Sequence, residues 1–190
     1  MPRFLIPLLL FICFSTAAIA ETPRYALSIY GAQMTTNPFE DFLTGEKIDF
    51  VGSHLLTIAL ARTLDQWRDL LVFELEGQAS RHFGVQDHWE FNLLGTVRWI
   101  KLPGRETLPT SIAFGIGPSW ATDEPEIEID NDGETDRTLV YWMLELSIAP
   151  FSELPNLELI SRLHHRSDAF GLVADDGGSN ALGIGLKYRF

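Results

Sequence analysis

Apolar residues recur at every second position along most of this chain, the period of a strand with two different faces rather than of a helix. Tyr25, Leu27 and Ile29 carry one face of the stretch Arg24 to Gln33, and Leu56, Ile58 and Leu60 one face of Ser53 to Arg62. Leu71, Phe73 and Leu75 alternate with Val72, Glu74, Glu76 and Gln78. Trp89, Phe91, Leu93, Val97 and Trp99 alternate with Glu90, Asn92 and Arg98. In the second half, Ile112, Phe114, Ile116 and Trp120 alternate with Ser111, Ala113, Gly115, Gly117 and Ser119. Val140, Trp142, Leu144, Leu146 and Ile148 alternate with Tyr141, Glu145 and Ser147. Leu157, Leu159 and Leu163 then interleave with Glu158, Arg162, His164 and Arg166, and Leu182, Ile184, Leu186, Tyr188 and Phe190 with Gly183, Gly185, Lys187 and Arg189. The pattern predicts eight strands.

A soluble sandwich alternates too, but it turns its apolar face inward. Two features favour the inverted arrangement. Aromatics stand at strand ends (Tyr25, Trp89, Trp99, Trp120, Tyr188), where the interfacial girdles of a membrane barrel fall. The opposite face mixes small residues with acids and bases, as a narrow lumen requires. There Glu74, Glu76, Glu90 and Glu145 are expected to pair with Arg98, Arg162, Arg166, Lys187 and Arg189, since lone buried charges are costly. The expected fold class is an all-β, eight-stranded antiparallel transmembrane β-barrel of the outer-membrane type. Connections Met34–Gly52, Arg81–Asp87, Ala121–Asp136 and Asp168–Gly178 are expected to be extracellular loops. Those at Leu64–Trp67, Lys101–Pro109 and Pro150–Leu154 are expected to be periplasmic turns. The alternating end at Phe190 resembles the C-terminal signature read by outer-membrane barrel assembly machinery.

The first residues explain how such a chain reaches that membrane. Arg3, the apolar block Phe4 to Phe14 and the Ala18-Ile19-Ala20 site are the three parts of a secretory signal peptide, too short to be a helical span. Residues 1–20 are therefore expected to be cleaved, leaving 21–190 as one barrel domain. Cys13, the one cysteine, lies in that leader behind Ile12 rather than a small residue, so neither a lipoprotein site nor a disulfide is expected. Net charge is −12, which excludes the basic footprint of nucleic-acid binding. Yet 46% of residues are hydrophobic and 12% aromatic, rich for so acidic a chain.

Most polar residues have structural explanations. The acidic run Asp123 to Gly133 only partly echoes a calcium loop, because Glu128 holds the first ligand position and Leu139 the closing one. It is expected to be a solvated loop. His54, His82 and His88 lie near strand ends without ligand spacing, so no metal site and no cofactor are expected. The segment Arg162 to Gly171 differs. His165 and Ser167 lie two apart on a strand and share a face, which suits a nucleophile and its base. Their register is that of Leu157, Leu159 and Leu163, so both face lipid, while His164 and Arg166 enter the lumen. At about 3.3 Å per residue and a tilt of ~45°, His165 stands roughly 19 Å above Leu157, at the outer leaflet. A polar pair there is poor packing and useful placement for acting on a lipid.

The His165-x-Ser167 pair, on the penultimate strand of a small exported barrel, resembles the PagL family of lipid A 3-O-deacylases. The resemblance implies a serine esterase that removes the ester-linked 3-hydroxyacyl chain of lipid A in the outer leaflet, with Ser167 as nucleophile and His165 as general base. It spans the mature chain as a fold, but as a motif only the last thirty or so residues. The family's acid is a Glu in the following segment. Here Asp175 and Asp176 stand before the last strand, and Asp176, in the outward register of Leu182 and Ile184, is expected to orient His165. Where the family has an Asn after the serine at the oxyanion hole, this chain has Asp168, with the N–H groups of Ala169 to Gly171 as substitute donors. The alternatives are a non-catalytic barrel with a structural or surface-binding role, and a small pore. A homodimer is left open.

Overall fold

The computed structural model describes residues 23–104 and 106–190, without the side chains of Glu40 and Leu43. The expected signal peptide lies outside the described residues. The described residues form eight strands: β1 (Tyr25–Thr35), β2 (Phe50–Trp67), β3 (Leu71–Phe83), β4 (Trp89–Trp99), β5 (Thr110–Ala121), β6 (Thr138–Ile148), β7 (Leu157–Ser167) and β8 (Gly178–Arg189). Each pairs antiparallel with the next, and β8 pairs with β1, closing a barrel with no free edge. Two short helices stand at the end of the barrel away from the termini: α1 (Phe39–Thr44) after β1 and α2 (Glu126–Asp132) after β5.

The alternation read from the sequence becomes the wall. In β4 every odd residue is exposed and every even one buried. Outward-facing Leu27, Ile29, Leu56, Ile58, Phe91 and Leu93 are among the large apolar side chains left exposed. Aromatics rim both ends: Tyr25 stacks on Phe190 at the terminal end, and Phe91 on Trp120 at the other. A band of exposed apolar residues between aromatic rims is what a lipid-facing surface requires.

Three boundaries differ from the alternation. β2 continues through the expected turn Leu64–Trp67, because Trp67 still pairs with Leu71, and the reversal falls at Arg68 with φ 55°. β3 extends to Phe83, and β8 begins at Gly178, opposite Ser167. Cross-strand partners, which linear spacing does not reveal, keep these segments extended.

The lumen is filled by ion pairs. Glu145 receives Arg98, Arg162 and Lys187. Arg98 also donates to Glu74 at 3.0 Å, and Arg162 to Glu76 at 2.7 Å. Two members of the expected set, Glu90 and Arg166, find partners outside it. Glu90 meets two imidazoles, His82 at 3.0 Å and His164 at 2.9 Å. Arg166 instead faces Glu128 at 3.4 Å.

That contact also corrects the view of the acidic run as a solvated loop. Residues 126–132 form α2, which turns Ile127 and Glu128 into the barrel mouth. Glu128 accepts hydrogen bonds from Thr135 Oγ1 and Ser179 Oγ, each at 2.7 Å. Burial raises its pKa, opposed by the Arg166 charge.

Candidate active site

β7 presents His165 and Ser167 on the outer wall, while Arg162, His164 and Arg166 are buried in the lumen. Both predicted residues are half-buried, because neighbouring strands and α1 close around them. His165 pairs across β6 with Trp142 and across β8 with Asn180. The Trp142 ring lies 4.4 Å from the imidazole, centroid to centroid. Phe39, the first residue of α1, packs its edge on Trp142 at 4.6 Å and lies 6.1 Å from His165. These two aromatics wall the imidazole.

Nδ1 of His165 lies 2.7 Å from Oδ1 of Asn180. The other end of that amide, Nδ2, donates to the carbonyl oxygen of Asn37 at 3.0 Å. A carbonyl can only accept, so this second bond fixes which end of the amide meets the histidine. Oδ1 is an acceptor, and Nδ1 of His165 therefore carries the proton. In the neutral ring Nε2 is left with the lone pair, the nitrogen a general base uses.

Asp176 takes a different position from the one expected of it. Its carboxylate accepts from the Gly177 N–H at 2.9 Å, in the exposed β7–β8 loop. The side chain at Nδ1 of His165 is that of Asn180. Burial first, then the nearby Asp176, raises the pKa of Asp132 at the end of α2, which places Asp176 in an acidic neighbourhood of the loops.

The turn after β7 is tight. Ala169 and Phe170 both have positive φ, 58° and 61°, a costly conformation for residues with a Cβ. Side-chain bonds hold it: Ala169 N donates to Ser167 Oγ at 3.0 Å, and Gly171 N to Asp168 Oδ2 at 2.6 Å. Ser167 Oγ donates in turn to Asp168 Oδ1 at 3.3 Å. Two of the expected oxyanion donors, the N–H groups of Ala169 and Gly171, are thus engaged by Ser167 Oγ and by the Asp168 carboxylate. The turn carries Phe170 and Leu172 almost wholly into the surroundings, an apolar tip beside the site.

Along the wall toward the termini lies a shallow groove of about 540 Å³. Gly31, Gln33, Ser161, Leu182 and Ile184 line it. Leu182 pairs with Leu163, two residues along β7 from His165, so the groove opens next to the imidazole.

No family model and no curated protein sequence matches the chain. Solved structures do. The outer membrane enzyme PagL superposes with a TM-score of 0.59 at 13% identity, over 87% of this chain and 99% of PagL. Neisserial surface protein A (NspA) gives 0.52 at 11% identity, over 87% of this chain and 97% of that one. The chain therefore has the fold of small outer-membrane barrels and is similar in structure to PagL. Likeness at these identities is likeness of fold, and function rests on the site.

Proposed function

We propose that this protein is an outer-membrane serine esterase that hydrolyses an ester-linked 3-hydroxyacyl chain of lipid A. The observation that carries the proposal is the His165–Asn180–Asn37 chain of hydrogen bonds on the outward face, two residues from Ser167. His165 takes the Ser167 proton on Nε2 as Oγ attacks the ester carbonyl. The alcohol of the sugar leaves with that proton, and water then releases the fatty acid from the acyl-serine. Asn180, rather than Asp176, holds the tautomer. An amide does this without adding charge, so it orients the ring while stabilising the imidazolium less than a carboxylate would. Before attack, Ser167 Oγ turns from its bonds with Ala169 and Asp168 toward His165. The wall groove receives an acyl chain, and Phe170 and Leu172 enter the lipid around it.

On this reading residues 1–20 are removed as a signal peptide and the chain resides in the outer membrane. Lipopolysaccharide of the outer leaflet is the substrate, and no cofactor takes part. The assembly machinery engages the strand ending at Phe190. A homodimer is compatible with the wall.

A second reading is favoured by one observation: the carboxylate of Asp168 occupies the position where a developing oxyanion would need donors. On it the barrel is non-catalytic and its loops bind a surface partner. A fluorophosphonate probe added to the folded barrel separates the two. Mass spectrometry should locate a stable adduct on Ser167, lost in Ser167→Ala and slowed in His165→Ala. A folded barrel that stays unlabelled favours the second reading.

A further inference from the structure

Four side chains converge in the lumen at the loop end, and the proposed esterase uses none of them. His82 is the penultimate residue of β3, His88 lies in the connection, Glu90 is the second residue of β4, and His164 reaches them from β7. All four are buried. A ring nitrogen of His82, one of His88 and a carboxylate oxygen of Glu90 lie within 4.8 Å of one another. The His82 and His88 rings are stacked at 4.2 Å. His82, His88 and Glu90 are close in sequence, and His164 joins them from the far side of the barrel.

His82 is engaged at both ring nitrogens, Nδ1 lying 2.9 Å from Gln86 Nε2 and Nε2 3.0 Å from Glu90 Oε2, so an ion would take the place of the proton shared with Glu90. Gln78 gives its Nε2 protons toward Glu76, so its Oε1 is the acceptor for the Tyr30 hydroxyl at 3.3 Å. The same hydroxyl lies 3.2 Å from Nδ1 of His164. Nε2 of His164 lies 2.9 Å from Glu90 Oε1. His88 is 3% exposed, and its Nε2 has no hydrogen-bond partner among the described residues. Buried polar atoms are seldom left so. Within the described residues the ion pairs of Glu90 are with His82 and His164. The Glu90 carboxylate, held by Asn92 Nδ2 at 2.7 Å, stands beside the unpartnered nitrogen of His88 and within reach of His82, an arrangement a cation would complete.

We propose that His82, His88 and Glu90 bind a divalent transition-metal ion of the zinc type inside the barrel. Two imidazoles and one carboxylate are a common set for such an ion, with water in the fourth position. Tetrahedral bonds of about 2.0–2.1 Å put ligand atoms about 3.3 Å apart, so the cluster must contract by about 1.5 Å or less at its widest. His164 lies against the other oxygen of Glu90 and positions it, as outer partners of metal ligands do. The ion ties the end of β3 to the start of β4, and Glu90 carries the contact on to His164 of β7, next to His165.

The test uses the untagged, chelator-stripped barrel folded in detergent and titrated with Co²⁺. The expected result is one ion per chain, visible ligand-field bands of a tetrahedral site, and their loss on adding Zn²⁺. His88→Gln should weaken binding more than about tenfold, and His54→Gln on the outer wall should leave it unchanged. Absence of stoichiometric binding by the folded wild type overturns the proposal, as does equal binding by His88→Gln or loss in His54→Gln. Should His88→Gln fail to fold, X-ray absorption of the Zn²⁺-loaded wild type decides. Two imidazoles in the shell support the site, and one or none contradicts it.

Discussion

His165 and Asn180 face each other across β7 and β8 with 2.7 Å between Nδ1 and Oδ1, and the backbone of Asn37 sets the sense of that bond. An amide thus stands where a serine-hydrolase site commonly has an acid. Asn180→Ala should lower kcat by about 10²-fold, the scale of a misaligned general base, with the barrel still folded. Asn180→Asp should instead retain activity and move the acid limb of the pH–rate profile upward. The sign follows from charge: a carboxylate favours the imidazolium, so deprotonating the base needs a higher pH. An unmoved limb would remove Asn180 from the mechanism.

Asp168 invites the converse experiment. Its carboxylate accepts from Ser167 Oγ and from Gly171 N, holding both away from the roles the proposed mechanism gives them. Asp168→Asn removes a negative charge from beside the developing oxyanion and adds a donor. Activity should rise about tenfold or more, against a loss of about 10²-fold or more when a working oxyanion donor is deleted. A fall in kcat would show that the carboxylate has a positive role.

The lumen network sets the stability of the wall. Glu145 is the shared partner of Arg98, Arg162 and Lys187. Glu145→Ala takes the ion-pair partner of buried Lys187 and one of the two carboxylates facing each of Arg98 and Arg162, and should destabilise the barrel by roughly 3–5 kcal/mol, read as a lower urea midpoint of unfolding. An unchanged midpoint would mean that water enters the lumen freely.

Barrel closure depends on a close approach at Gly185. A Cβ there would stand 2.2 Å from the Ile29 carbonyl oxygen and 2.5 Å from Tyr30 Cβ. Backbone must then shift, so Gly185→Ala should cost about 1–3 kcal/mol. The barrel's heat-modifiable migration on gels should be lost at a lower temperature. Gly95, with open space where a Cβ would stand, should tolerate the same change.

Period-two alternation was sufficient to read the wall, because one face of every strand meets one solvent. It also settled that His165 and Ser167 point outward and His164 inward. Asn180 escaped the same reading for two reasons. It lies before the apolar run beginning at Leu182, where β8 is already paired but no longer alternates clearly. Its partnership with His165 depends on cross-strand register, which a single strand does not encode. Glu128 was misleading in another way: its acidic neighbours suggest water, but α2 puts Ile127 and Glu128 on the inward side. The grouping of His82, His88 and Glu90 with His164 needs the closed barrel, and no linear spacing contains it.

The most direct measurement is the mass spectrum of purified lipid A after incubation with the folded barrel, beside Ser167→Ala folded in the same detergent. Loss of one 3-hydroxyacyl chain with wild type alone is the expected result. Intact lipid A with a folded wild type, where a known deacylase acts under the same conditions, would contradict it, and so would equal loss with Ser167→Ala.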